Sequence, residues 1–307
     1  MCFEHAQRKG TQVLEVLYIL HPRIVFADKW KAPLDKEAFG IARKVVDKDM
    51  APLALDIFFR ERTPHRVFEL LYALVMEEEL AQLDLIQNRL NRMLVEVVIL
   101  HRLLSAEKNQ GQEDALISRR LVVLGWMIQE RLTHLMLQTQ TSQYDQVFAM
   151  GWMPGIDRME WETRIVGASA EAKAVQELAL AGGLDIYEST IHEDVVWGID
   201  LLVEIPGTGE GVCLSVKTQS EPKTRFHPNV RDIPDEKTYA EWEKIARGTL
   251  EFNSKARRAF KPMLLKVGRI NGQRIDLNMN GEAEGWTEEL KAAFAKDEWL
   301  TYTPTTT

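Results

Sequence analysis

Apolar residues recur every three or four positions through the first 150 residues, which is the spacing of helices that bury one side. Pro64 suits the first turn of a long helix, and the run Asn109–Gln112 is typical of a turn between two helices. The two long segments that flank this turn should therefore pair as an antiparallel hairpin. The pattern predicts helices near 11–20, 36–46 and 51–60 and over about 64–108 and 113–139.

The two long helices carry more apolar residues than one buried stripe requires, above all around Val95–Leu104 and Leu121–Leu132. These residues must be buried against the first three helices or against another copy of the chain. We therefore expect the helical half to provide a surface for a homo-oligomer or for a protein partner.

The pattern changes after Gly151. Residues 151–168 mix Gly, Pro, Trp, Met and charged residues, and we interpret them as a packed connector. From Ser169 onward, helical and alternating segments intermingle. This order predicts a helical domain at 1–150, an α/β domain with a central mixed sheet at 169–300, and a frayed tail at 301–307. The helices are predicted at 169–181, 236–259 and 284–296, and the strands at 184–191, 195–204, 211–218, 262–269 and 273–279.

Strict alternation in the second and third of these strands predicts a β-hairpin, with turn residues Ile-Pro-Gly-Thr-Gly-Glu between them. We expect a register in which Glu204 faces Cys213, Leu202 faces Ser215 and Asp200 faces Lys217. Directly opposed residues have Cβ atoms about 5 Å apart. The hairpin should therefore project the Asp200 carboxylate and the Lys217 ammonium side by side from one face, while its other face is apolar.

Composition indicates the compartment in which the protein works and leaves the predicted fold unchanged. The 307 residues suffice for two domains, each with its own core. The two cysteines, Cys2 and Cys213, cannot form a disulfide framework or a tetrahedral thiolate zinc site, which favours a reducing, cytoplasmic compartment. The apolar runs are too short or too interrupted to span a bilayer, so no membrane association is expected.

The charge is distributed unevenly along the chain. The net charge of −8 argues against a protein that coats nucleic acid non-specifically. Residues 211–270, however, contain 13 Lys or Arg and 7 Asp or Glu, a local balance of +6, while the rest of the chain carries −14. This basic segment follows the hairpin. It is where a phosphate backbone could lie, although an ordinary solvated helix face would have a similar composition.

Glu171 lies on the face of the predicted 169–181 helix that also carries Ala174, Val175 and Leu178 and must pack on the sheet. A carboxylate on such a face is costly unless it is paired, and Asp200, Lys217 or a divalent cation are candidate partners. Glu177 points elsewhere, close to Lys173, as a solvated pair one helical turn apart.

The order of Glu171 on a helix, Asp200 in Gly-Ile-Asp, and Ser215-Val216-Lys217 followed by Thr-Gln resembles the PD-(D/E)xK nuclease superfamily over about 169–280. The resemblance implies a restriction-endonuclease-like α/β core. It also implies that Glu171 and Asp200 bind Mg²⁺ or Mn²⁺ and that Lys217 is the catalytic lysine. Gln219 matches a Gln that some members place after the Lys. The acid expected at position 215 is Ser215, and the acids that could replace it are Glu204, Glu221, Asp232, Asp235 and Glu236.

This resemblance predicts a metal-dependent nuclease that hydrolyses the phosphodiester bonds of DNA. Six basic residues of the 211–270 segment are the candidate phosphate contacts: Lys223, Arg225, Arg231, Arg247, Arg257 and Arg258. The alternative is a catalytically inactive module of the same fold that binds DNA or protein within a larger complex. Ser215 is the feature that favours this alternative.

Overall fold

The chain folds as a mixture of helices and a six-stranded mixed sheet. The computed structural model describes residues 21–26, 31–47, 89–108, 115–228, 233, 235–271 and 273–277. Contacts divide the chain into two compact units, one formed by residues 28–172 and the other by residues 1–27 together with 173–307. The division falls between Ala172 and Lys173, inside a long helix, whereas the sequence pattern placed the change of domain at 151–168.

The 28–172 unit is helical in its described part, as predicted. Helix α1 (Lys36–Asp47) packs on α2 (Arg89–Lys108), and α2 packs on α3 (Ala115–Gln138), which agrees with the predicted pairing of the two long helices. Almost every apolar side chain from Leu94 to Leu104 is at most 1% exposed within the single chain. A second copy is therefore not needed to cover them. The helices are α1 (Lys36–Asp47), α2 (Arg89–Lys108), α3 (Ala115–Gln138), α4 (Tyr144–Ala149) and α5 (Arg158–Ala181).

Helix α5 corrects the predicted connector. It begins at Arg158 rather than at 169, so residues 158–168 are helical and not a connector. The Asp157 carboxylate accepts a hydrogen bond from the Glu160 amide (3.1 Å) at the start of this helix. Trp161 and Ile165, one turn apart, are 0% and 2% exposed. The charged residues between them interrupt the apolar repeat, so the sequence pattern did not indicate a helix here.

The six strands are β1 (Arg23–Ile24), β2 (Asp185–Glu188), β3 (Leu201–Glu204), β4 (Glu210–Gln219), β5 (Arg225–His227) and β6 (Ala259–Gly268). Their order in the sheet is β1-β2-β3-β4-β6-β5. Only β4 and β6 are parallel among these pairs, and helix α6 (Glu236–Ala256) lies between them in sequence. The predicted central mixed sheet is therefore confirmed.

Three predicted strands differ from the structure. The strand expected at 195–204 begins only at Leu201, because residues 193–197 form a π-helical turn. The strand expected at 273–279 is reduced, among the described residues, to a bridge between Ile270 and Arg274. The strand expected at 184–191 spans only Asp185–Glu188, and the short edge strands β1 and β5 were not predicted at all. Two or three residues are too few to show alternation.

Helix α6 covers the sheet face that carries Leu202 and Cys213. A core cluster joins these two residues to Ile245 and Phe252 of the helix. A second cluster joins Leu264 of β6 to Trp242 and Ala246 of the helix. This packing makes the α6 side of the sheet apolar at its centre, so the polar groups of this face lie towards its ends.

Several predicted elements lie outside the described residues. They are the helices near 11–20, 51–60 and 284–296, the first part of the 64–108 helix, and the tail at 301–307. Among the described helices, none has the length and apolar character needed to cross a membrane.

Candidate functional site

A π-helical turn leads the chain into Asp200. The turn spans Glu193–Trp197 and ends at Gly198, whose φ of 71° lies in the left-handed region that favours glycine. The amides of Gly198 and Ile199 each donate a 2.9 Å hydrogen bond back to the turn, to the carbonyls of Asp194 and Glu193. Single π-turns are found frequently at functional sites. Here the turn fixes the direction from which Asp200 enters the sheet.

The buried Glu193 side chain anchors this turn. Its carboxylate accepts hydrogen bonds from His21 Nε2 at 2.8 and 2.9 Å, and from the Thr190 amide at 2.8 Å. Burial alone would raise the pKa of Glu193, but the hydrogen bonds from His21 and Thr190 outweigh it and hold the pKa below its usual value. The segment that carries β1 is thereby tied to the turn that positions Asp200.

The observed hairpin register is shifted by two residues from the prediction. Leu202 pairs with Cys213 and Glu204 pairs with Gly211, whereas they were expected to face Ser215 and Cys213. The predicted register is therefore wrong. Because the shift is even, every side chain keeps its predicted face. Beyond the last ladder pair, the Asp200 amide donates to the Leu214 carbonyl at 2.9 Å, so Lys217 reaches Asp200 diagonally.

One oxygen of the Asp200 carboxylate accepts three hydrogen bonds. Oδ2 accepts from the Val216 amide (2.5 Å), the Lys217 ammonium (2.9 Å) and the Ser215 hydroxyl (3.2 Å). The Asp200 side chain is only 6% exposed, whereas that of Lys217 is 37% exposed. Within the described part of the chain, Oδ1 of Asp200 makes no hydrogen bond. The predicted proximity of Asp200 and Lys217 is thus present, with Ser215 beside them and one carboxylate oxygen open.

Gln219 continues along the same face of β4. Its side-chain amide donates to the main-chain carbonyl of Lys223, which braces the loop between β4 and β5. The Lys223 side chain is exposed. Gln219 therefore holds in place the loop that lies at the edge of the site.

The site also contains Lys266 and Glu241, two charged residues that sequence reasoning missed. Lys266 of β6 is the direct partner of Lys217 in the parallel ladder, and its 7% exposed side chain forms an ion pair with Glu241 of α6. Residues paired in this way lie on the same face. A lone lysine within the apolar run Met263–Val267 was the available signal, because a buried cation needs a partner.

Three of the four described acids proposed to replace the missing one at position 215 are bound to other groups in the structure. Glu204 lies at the other end of β3 and pairs with Arg258 at 3.1 Å, and Glu221 pairs with Arg225 at 2.5 Å. Asp235 caps helix α6 through the Thr238 amide, and this hydrogen bond lowers the pKa of Asp235. Glu236 is exposed in the first turn of α6, and Asp232 lies outside the described residues.

The predicted phosphate contacts do not converge on one place. Arg225 lies opposite Lys266 and is therefore near Lys217. Arg257 and Arg258 precede β6, whose first residue, Ala259, lies about 23 Å from Lys266 at 3.3 Å per residue. Arg247 pairs with Glu243 on the exposed side of α6. Arg231 lies outside the described residues.

Two hydrogen-bond donors to Glu171 belong to the 28–172 unit, whereas Asp200, Ser215, Lys217 and Gln219 all belong to the other unit. Its carboxylate accepts hydrogen bonds from Gln129 Nε2 (2.9 Å) and Thr133 Oγ1 (2.8 Å) of helix α3. Two neutral side chains therefore hydrogen-bond this half-buried acid, as its position requires. Its role as a metal ligand stays a prediction.

Comparison with known proteins finds no matching family model, no matching curated protein and no matching solved structure. The chemistry of the site is therefore inferred from its own geometry. A half-exposed ammonium held against a buried carboxylate can attract and orient an anion, and the open carboxylate oxygen can serve as a ligand for a hard cation.

Proposed function

We propose that the region 169–300 is a restriction-endonuclease-like domain that hydrolyses phosphodiester bonds in DNA with the help of Mg²⁺ or Mn²⁺. The observation that carries this proposal is the 2.9 Å contact between Lys217 of β4 and Asp200, which directly precedes β3. Both the order of the residues and the mixed sheet agree with the nuclease resemblance. A cross-strand ion pair without catalytic function is the simplest competing explanation.

The residues present fit a single divalent cation better than two. Oδ1 of Asp200 is available as a ligand, while Oδ2 is occupied by three donors. Mg²⁺ typically keeps several waters and is bound through one or two carboxylates. When bound, such an ion would lower the pKa of a coordinated water and polarise the phosphate.

Lys217 supplies the positive charge for the reaction in this proposal. Its 37% exposed side chain can be reached by a substrate, while Asp200 and the Val216 carbonyl orient its ammonium. A cation held in advance at the point where charge develops needs no rearrangement during the reaction. Ser215, which is 2% exposed, acts as a positioning residue through its hydrogen bond to Asp200.

A catalytically inactive module that binds DNA or protein is the second candidate. Ser215 favours it, because the family motif has an acid at this position, whereas Glu204, Glu221 and Asp235 are each bound to another group. With one carboxylate in place of two, metal affinity should fall. The two candidates differ in one measurable property, metal-dependent cleavage.

The test is cleavage of supercoiled plasmid and of single-stranded DNA by the full chain with Mg²⁺ or Mn²⁺. Lys217→Ala and Asp200→Ala are each expected to reduce the rate by about 10²–10³. Lys36→Ala, which changes an exposed lysine at the start of α1, is purified in the same way as the control and should cut like the wild type.

Three outcomes decide between the candidates. Cleavage lost in both site variants and kept in the control supports the nuclease. Cleavage kept in both site variants places the activity elsewhere or in a contaminant, and refutes the proposed site. A folded wild type without cleavage, and without a rise in melting temperature on adding metal, supports the inactive module.

A further inference from the structure

We propose that Lys217, Lys266 and Arg225 form a phosphate-binding row across three neighbouring strands. Lys217 of β4 pairs with Lys266 of β6, and Lys266 pairs in turn with Arg225 of β5. Neighbouring strands lie about 4.8 Å apart, and residues in direct register project from the same face. Three cations thus stand side by side at the end of the sheet that holds Asp200. This proposal rests on the proposed function in taking a polynucleotide phosphate as the ligand.

The exposure of the row suits an anion that approaches from solvent. The outer side chains, Lys217 and Arg225, are 37% and 42% exposed, whereas Lys266 between them is 7% exposed. The outer two can reach a ligand directly. The charge of Lys266 acts from a place with little water, where electrostatic interactions are screened less. The row therefore combines two exposed side chains that can contact the ligand with the buried charge of Lys266 between them.

Three like charges in direct register are unfavourable unless something offsets their repulsion. Each cation is paired with a carboxylate: Lys217 with Asp200, Lys266 with Glu241 and Arg225 with Glu221. The Arg225–Glu221 pair is exposed on both sides, so its exchange for a ligand costs little. A phosphate between Lys217 and Arg225 would relieve the repulsion further.

The chemistry of the row favours phosphate over other anions. Arginine presents a planar fork that binds two oxygens of a phosphate, while lysine adds a compact charge. Three local ion pairs that merely hold β5 and α6 in place are the competing explanation. The two explanations differ in what happens when phosphate is added, which can be measured without metal and without cleavage.

The experiment uses the full chain in EDTA and has two arms. The first follows the melting temperature in inorganic phosphate against chloride of equal ionic strength. The second follows binding of a fluorescent 12-nucleotide single strand by anisotropy at several salt concentrations. Wild type should melt about 2–4 °C higher in phosphate well above its dissociation constant. It should also bind the oligonucleotide with a salt-dependent affinity.

Two variants test the row. Arg225→Gln changes an exposed residue, so folding should be kept. The double variant Lys266→Met with Glu241→Gln removes both charges of the half-buried pair and leaves neither unpaired. Each should lose most of the phosphate effect, weaken oligonucleotide binding at least about fivefold and reduce the salt slope by about one. The matched control is Arg158→Gln, since Arg158 is similarly exposed and pairs with Glu162 four residues away.

If the site variants keep the phosphate effect and the oligonucleotide affinity of the Arg158→Gln control, the phosphate-binding row is refuted. Phosphate stabilisation lost in the site variants, combined with no oligonucleotide binding by the wild type, would overturn the polynucleotide as the ligand and identify a free phosphate compound instead. If the protein cleaves DNA but shows no effect of phosphate, the proposed nuclease is supported and the phosphate-binding row is refuted. If the row binds phosphate but no metal supports cleavage, the row is supported and the nuclease is refuted.

Discussion

A buried ion pair in helix α5 allows a quantitative test of how burial sets the energy of a charge pair. Lys173 Nζ lies 2.7 Å from Glu177 Oε1, one helical turn away, and the two side chains are 4% and 1% exposed. At an effective dielectric constant of 20, two unit charges at this distance attract each other by about 6 kcal/mol. The cost of removing both ions from water offsets much of this attraction.

Glu177→Gln should therefore destabilise the protein by about 3–5 kcal/mol, because it removes the carboxylate that lies 2.7 Å from the buried Lys173 ammonium. Replacing both residues with apolar ones, as in Lys173→Met with Glu177→Leu, should cost far less than the single change or even stabilise the fold. The difference between the single and double variants measures the coupling of the pair.

Helix α5 also contains the matched control. Arg158 and Glu162 have the same spacing and lie 2.6 Å apart, but they are 50% and 31% exposed. Glu162→Gln should cost at most about 0.5 kcal/mol. The assay is urea unfolding of the full chain followed by circular dichroism, with equal slopes required before midpoints are compared. Equal costs for Glu177→Gln and Glu162→Gln would refute the argument from burial.

Two further predictions concern the α6 side of the sheet. The depressed pKa of Glu193 means that its carboxyl binds protons more readily in the unfolded chain. Its contribution to stability should be present above the usual pKa of 4.5 and lost as the pH falls through the lower folded value. Glu193→Gln should flatten the loss of urea resistance between pH 5 and 3, and unchanged acid branches would contradict this. Burial raises the pKa of the Cys213 thiol, which is fully buried. In a Cys2→Ser variant, Cys213 should react with a disulfide reagent at pH 8 at least about 10³-fold more slowly than in guanidinium, and rapid labelling of the native protein would contradict the described core.

Local patterns in the sequence determined the elements that are long enough to show their period. The alternation in residues 195–204 and 211–219 assigned Asp200 and Lys217 to one face, and the even register shift left this assignment intact. In the 169–181 segment the predicted apolar residues Ala174, Val175 and Leu178 are buried, but the prediction of a solvated Glu177 was wrong, since Glu177 is only 1% exposed. A side-chain period is a property of neighbouring residues, so it is encoded locally.

Tertiary structure decided everything that depends on which distant segments meet. The pairing of β4 with β6 brings Lys266 beside Lys217, although the two residues are 49 positions apart. The hairpin register also escaped local prediction, because Asp200 is held by the Leu214 carbonyl and by a π-helical turn and not by a ladder partner. Lys173 and Glu177 show the same limit. Their spacing predicted the pair, but only packing from outside the helix made it a buried one.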